Sequence, residues 1–336
     1  MADDNEQAIF SLRQKLCRLF DWNSIDQVCF TGSITESLAM VIGGLLGPGD
    51  HVIISSLEHN AVMRNLCERH IQYSMIPCDE QGYCLWPMAQ DLVKRNTKAI
   101  IINACSNVFG TCQDLVKAHE LARRNNLLFI VDSAQAAVHQ DISMTRLGID
   151  ILCFTGHKSL LGPTGTGGFI INDAKARLDI VKAGGTGSLS FSLEMPDFLP
   201  DRYEPGTQNT AGLIGLSYSL NYVLANLDQI RSLEMERTRQ LLEGLASIKG
   251  VRVVGPQDTQ NRGPVISIDV PAKDNADIAY DLMSLYSVET RVGLHCSPMA
   301  HKALGTFPKG TLRLSPSSFT TKEEIDSALL AISKLV

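Results

Sequence analysis

The chain has 336 residues, 44% hydrophobic and 20% charged, the balance of a globular protein that buries a large core and not of a disordered scaffold. Its net charge of −6 lacks the basic footprint of a nucleic-acid binder. The longest apolar run, 38–46, is far shorter than the roughly 20 residues that cross a bilayer, and the acidic, polar stretch at 1–6 is unlike a signal-peptide n-region, so the expected compartment is the cytoplasm. Nine cysteines, an odd count with no Cys-x-x-Cys, make a poor disulfide framework and a poor structural zinc site. Most of them, such as Cys29 and Cys153, sit in apolar runs and read as small buried hydrophobes.

Short β-rich runs alternate with helical stretches along the first half. Val28–Thr31 precedes a helix predicted over 35–46 that stops at Gly47-Pro48. His51–Ser55 follows, then a helix at 61–70, then Gln72–Ile76, Ala99–Asn103, Leu127–Asp132 and Ile151–Phe154. These runs are continuously apolar, the pattern of strands buried on both faces of a parallel sheet. Repeated βα units predict an α/β domain with helices on both faces and a ligand beyond the carboxyl ends of the strands. After Gly206 the pattern changes to two long helices, about 208–225 and 228–248, and a smaller strand-and-helix region. Its last helix opens on a capping box, Thr321-x-x-Glu324. The expected division is a large domain at 1–226 and a small C-terminal domain at 227–336.

Chemistry concentrates at strand ends. The run Phe129–Asp132 ends in Asp-Ser-Ala-Gln135, and the next strand ends in Thr155-Gly-His-Lys158, so a carboxylate and a lysine enter the ligand crevice. A lysine there is either a phosphate-binding cation or an imine-forming nucleophile. The glycines at 162–168 follow that lysine, which is not the order of a P-loop, and Ile170 breaks a dinucleotide fingerprint. They are expected to permit a tight turn and close backbone approach beside the lysine. Arg313 interrupts an apolar strand, where an unpaired charge is costly. Cys296 lies in a polar, glycine-containing loop after His295, where a neighbouring histidine or arginine can support a reactive thiolate. His295, Cys296 and His301 lack further ligands in range, so no metal site is expected.

Asp132-x-x-Gln135, Thr155-Gly-His-Lys158 and Gly162-Pro-x-Gly165 together resemble the pyridoxal-phosphate signature of class V aminotransferase-fold enzymes. Within that group the chain resembles the cysteine desulfurases and selenocysteine lyases, through Thr35-Glu36, Glu58-His59-Asn60, Ser106-Asn107-Val-x-Gly110, Gly206-Thr-Gln-Asn209, Arg291-Val-Gly-Leu-His-Cys296 and Leu312-Arg-Leu-Ser315. The resemblance runs over nearly the whole chain from Glu6. It implies the type I pyridoxal-phosphate transferase fold, a large mostly parallel sheet domain with a smaller α+β domain.

It also implies residue roles. Lys158 would anchor the cofactor and move the substrate Cα proton. Asp132 would keep the pyridine nitrogen protonated, Gln135 would bond the phenolic oxygen, and His59 would stack on the ring. The backbone at Ile34 and Thr35, where a helix starts, would hold the phosphate with Thr155 and His157. Thr207 would reach the phosphate of a neighbouring subunit, which implies a homodimer. Arg313 would clamp the substrate carboxylate with Asn107 alongside, and Arg291 is a second carboxylate candidate. Cys296 would take sulfur from L-cysteine as a persulfide, for delivery to an acceptor protein, with release of alanine.

Three departures from the family pattern stand out. The Asp-Asn-Ala-Ala-type segment that usually helps to cover the pocket is expected before the first helix and is not found in this sequence. Leu294 stands where relatives often carry histidine, and Gln208 replaces a common proline. The alternatives are selenocysteine lyase, C–S β-lyase or aminotransferase activity on the same fold, or a subunit that depends on a partner.

Overall fold

The computed structural model describes residues 2–336. A seven-stranded sheet is built from β1 (Val28–Thr31), β2 (His51–Ser55), β3 (Gln72–Ile76), β4 (Thr97–Asn103), β5 (Leu128–Asp132), β6 (Ile151–Thr155) and β7 (Gly167–Ile171), in the order β1-β7-β6-β5-β4-β2-β3. β2 to β6 pair in parallel, and every residue of β2 and β6 is buried, which is why those runs read as hydrophobic strands; β7 is buried throughout as well. Helices α1 (Ala2–Phe20), α2 (Ile34–Leu45), α3 (Asn60–Glu68), α4 (Leu115–Arg124) and the short α5 (Met144–Leu147) cover the sheet. Two hydrophobic clusters, one around Phe20, Phe129 and Phe154 and one around Leu38, Ile54 and Phe169, fill the spaces on either side of it.

The sheet is not wholly parallel. β7 runs antiparallel to both β1 and β6. Only residues 156–166 join β6 to β7, too short for the helical crossover that a parallel neighbour needs. The glycines opening β7 therefore serve packing more than turning. A Cβ on Gly168 would lie 2.4 Å from the Cys29 carbonyl oxygen and 2.6 Å from the Phe154 ring, and one on Gly167 would lie 2.8–3.0 Å from the backbone of Ser33 and Ile34.

α6 (Thr210–Ser247) spans 38 residues, and its non-helical dihedrals at Asn226 (φ −125°, ψ 19°) mark a kink that divides it into the two helical segments expected. The first part packs on α1, while the rest leads into a four-stranded antiparallel sheet of β8 (Arg252–Val254), β9 (Ile266–Asp269), β10 (Arg291–Gly293) and β11 (Thr311–Leu314), in the order β10-β11-β9-β8. α7 (Asn275–Tyr286), α8 (Pro298–Ala303) and α9 (Lys322–Leu335) complete this region, which has its own core of Leu241, Leu245, Ile266, Ile268, Leu312 and Ile332. The expected capping box at the start of α9 is present in both directions, Thr321 to Glu324. No described helix is long and apolar enough to cross a membrane.

Candidate active site

The parallel strands deliver their last residues to one edge of the large sheet. Asn103 ends β4 and pairs in register with Asp132 at the end of β5, and Thr155 ends β6. Asp132 is 3% exposed, and its Oδ1 accepts from the Ala134 N–H at 2.9 Å. Burial pushes its pKa up; the Ala134 N–H, Lys158 and His59 pull the other way. Burial likewise lowers the pKa of Lys158, against the pull of Asp132. A buried carboxylate therefore faces a lysine that is more easily deprotonated than one in water.

Two helix starts close the opposite wall. Ser33 caps α2 by accepting from the Glu36 N–H, and the first helical bond runs from Ser37, so the N–H groups of Ile34 and Thr35 precede the helical ladder. His59 caps α3: its Nδ1 accepts from the Ala61 N–H at 3.0 Å. Burial depresses the His59 pKa, so the neutral ring carries its proton on Nε2. Ser33, Ile34, Thr35, His59, Asn107, Asp132, Gln135, His157 and Lys158 line one cavity of about 180 Å³, together with Asn103 and Ala134. Thr155 Oγ1 and His157 Nδ1 share a hydrogen bond of 3.1 Å at its edge. Asn103 and Ser33 are wall residues that no motif marks, because their side chains serve backbone geometry shared by many folds.

The small sheet supplies the other side. Arg313 on β11 is half-buried; its Nη1 donates to the Asn107 carbonyl at 2.8 Å, while its Nε is buried with no hydrogen-bond partner. Arg291 is exposed on β10 and pairs in register with Arg313, so two guanidinium groups share one face of the sheet. Neither forms an ion pair among the described residues. Cys296 is exposed and is not among the residues lining the cavity; a negative charge on its sulfur would raise the pKa of both Lys158 and Arg313, so it lies within electrostatic reach of both. By contrast, burial drives the thiols of Cys29, Cys84 and Cys153 well above the ordinary range.

One expected contribution looks different in the structure, and one residue lies apart from the rest of the site. His295 does not offer a positive charge to the thiol: its Nε2 donates to the Thr311 carbonyl at 3.0 Å, and burial pushes its pKa down to about 4. Thr207 is exposed and lies outside the cavity around Lys158. It lines a second cavity of about 230 Å³ with Gly32, Glu36, Lys182 and Glu204.

A mostly parallel sheet, a lysine beside a buried aspartate at its carboxyl edge, and a helix N-terminus for an anion define a pyridoxal-phosphate enzyme architecture. The sequence profile described as Aminotransferase class-V matches residues 1–328, and the chain belongs to that family. It is 31% identical over 323 residues to a probable cysteine desulfurase of Methanothermobacter thermautotrophicus, covering 93% of this chain and 80% of that one. It is 29% identical over 339 residues to a cysteine desulfurase of Escherichia coli, covering 97% and 82%. Among solved structures it is similar to the apo cysteine desulfurase of Thermococcus onnurineus NA1, with a TM-score of 0.89, 26% identity, and 99% and 85% of the two chains covered.

The family's cofactor is pyridoxal phosphate, and the residues here fit it. The carboxylate of Asp132 suits a protonated ring nitrogen, and Lys158 suits the aldehyde carbon. The free N–H groups of Ile34 and Thr35, with the hydroxyl of Thr155, suit a phosphate. The absence of a side chain at Gly167 lets the first turn of α2 sit where it does, since a Cβ there would meet the backbone of Ser33 and Ile34.

Proposed function

We propose that this chain is a cysteine desulfurase that converts L-cysteine to L-alanine and leaves the sulfur as a persulfide on Cys296. The observation that carries this reading is Lys158 in a cavity whose wall residue Asn107 holds Arg313, with its buried unpartnered Nε, and an exposed Cys296 within electrostatic reach of both cations. Arg313 holds the substrate carboxylate, its free Nε and terminal nitrogens supplying the two donors of a bidentate clamp. Lys158 holds the cofactor and, once displaced by the substrate amine, takes the Cα proton; its lowered pKa leaves a larger neutral fraction to do so. Pyridoxal phosphate, when bound, supplies the sink for the electron pair left by that proton, with Asp132 stabilising the charged ring. The Cys296 sulfur then attacks the substrate sulfur: an S–S bond forms, the substrate C–S bond breaks, and the carbon is protonated. In sum, a thiol and L-cysteine become a persulfide and L-alanine.

The reading extends to a homodimer in which Thr207 serves the neighbouring subunit's phosphate. It is supported by the position of Thr207 away from its own Lys158 cavity and by the exposure of Phe191, Leu193 and Tyr218. It also includes a functional division at 226/227, supported by the kink at Asn226, delivery of sulfur to an acceptor protein, and residence in the cytoplasm, supported by nine free cysteines.

The test is alanine and sulfide release from L-cysteine, with added pyridoxal phosphate and reductant, comparing the wild type with Cys296→Ala. Alanine from the wild type only, with cofactor absorbance retained in the variant, supports the persulfide route. Full sulfide release by Cys296→Ala would instead mean direct elimination, a β-lyase reaction.

A further inference from the structure

The turn that presents Cys296 is held in an unfavourable shape. His295 and Cys296 have φ of +47° and +60°, the left-handed region that residues with a Cβ disfavour. Such a conformation persists only where neighbours impose it. The bonds that impose it converge on Asn107, which is 6% exposed. Asn107 Nδ2 donates to the His295 carbonyl at 2.6 Å, and its Oδ1 accepts from the Ser297 hydroxyl at 2.9 Å. Ser297 is fully buried, and its N–H donates to the Leu294 carbonyl at 2.9 Å, closing the turn. The Cys296 carbonyl accepts from the Asn60 N–H at 2.8 Å, beside the His59 cap. The backbone carbonyl of Asn107 receives Arg313 Nη1.

Both ends of the Asn107 amide are thus engaged by the cysteine loop, whereas family resemblance directs this side chain to the substrate carboxylate. Resting on the desulfurase reading, we propose that Ser297 and Asn107 are positioning residues that hold the Cys296 turn in its left-handed form and keep the thiol facing the pocket. Because Asn107 also seats Arg313 through its carbonyl, one residue sets both the carboxylate clamp and the sulfur acceptor. The Ser297 hydroxyl is the specific element: it is the donor that fixes the orientation of the amide, so that Nδ2 points at the His295 carbonyl and not away from it.

The experiment uses the cofactor-loaded protein. Alkylation of Cys296 by iodoacetamide is followed by peptide mass spectrometry, with exposed Cys67 as the internal reference. In Ser297→Ala the Cys296 rate relative to Cys67 is expected to change at least about threefold. The kcat for alanine release should fall about tenfold, the scale of one lost hydrogen bond, while KM for L-cysteine stays within about twofold. Ser297→Thr, which keeps the hydroxyl, should recover both values. Asn107→Asp, which loses the donor to His295, should repeat the Ser297→Ala signature. An unchanged Cys296 rate with an unchanged kcat would overturn the proposal, as would a rise in KM alone, the signature of an Asn107 that binds substrate. Failure of the desulfurase reading is separate: the wild type would not turn over L-cysteine, and the alkylation ratio would still report on the turn.

Discussion

Glu58 shows how a residue can be visible in a motif while its state is not. It is fully buried, its Oε1 accepts from Ser55 Oγ at 2.6 Å and from the Asn103 N–H at 2.9 Å, and its Oε2 has no partner. Burial, with Asp132 adding to it, raises its pKa to about 8, so it holds a proton at neutral pH. The unfolded chain has released that proton above the ordinary glutamate range. Stability from this group is therefore fully present at low pH and is lost as pH rises through about 8. Glu58→Gln, a neutral isostere, is expected to flatten that loss: the melting temperature of the wild type should fall more between pH 5.5 and 8.5 than that of the variant. Glu234, raised to about 7, pushes in the same direction in both proteins, so the difference between them isolates Glu58. Equal slopes would mean that Glu58 is ionised throughout. At this scale the sequence discloses Lys158, Asp132 and Arg313, because a charge at the end of or within an apolar strand has few structural uses. It conceals Ser297, because a serine beside a cysteine carries no pattern until the fold brings Asn107, 190 positions away in sequence, against it.

Among the elements, β2 and β6 of the large sheet were legible as runs because both of their faces are buried. β7 was not, since it opens with two glycines that weaken a strand signal and whose purpose is contact with α2 and β1. That contact yields a prediction at the same scale. Gly167→Ala places a methyl 2.8–3.0 Å from the backbone of Ser33 and Ile34, so the first turn of α2 has to shift. Affinity for pyridoxal phosphate, measured by the cofactor's absorbance on titration, should drop about tenfold or more, because the N–H groups at the helix start lose their alignment. An unchanged affinity would mean that the phosphate is held elsewhere. The long helix was closely legible: the pattern predicts two helices at 208–225 and 228–248, and the run breaks from helical dihedrals at Asn226, between them.

For the whole molecule the two cavities matter together. If Thr207 serves the neighbouring subunit, then Lys158→Ala and Thr207→Ala protomers should complement each other when mixed under conditions that exchange subunits. In the hybrid, one site loses both groups, and the other has an intact lysine and receives an intact Thr207. Activity of an equal, fully exchanged mixture should rise toward about a quarter that of the wild type, since half the dimers are hybrids with one intact site of two. Activity that stays at the level of the Thr207→Ala parent would mean that the threonine acts within its own chain. This arrangement was legible only through family resemblance, since nothing in the pattern of residues 206–209 says which copy they face.

The register of the small sheet places Arg291 directly across from Arg313, and like charges so placed repel. On the proposed reading, an incoming carboxylate would do more than fill a clamp: it would be the counter-charge of two arginines placed across from each other. Substrate binding and the cohesion of the small sheet would in this way be two readings of one electrostatic account. If Cys296 is the sulfur acceptor, the region that carries it would be held most firmly when substrate is bound.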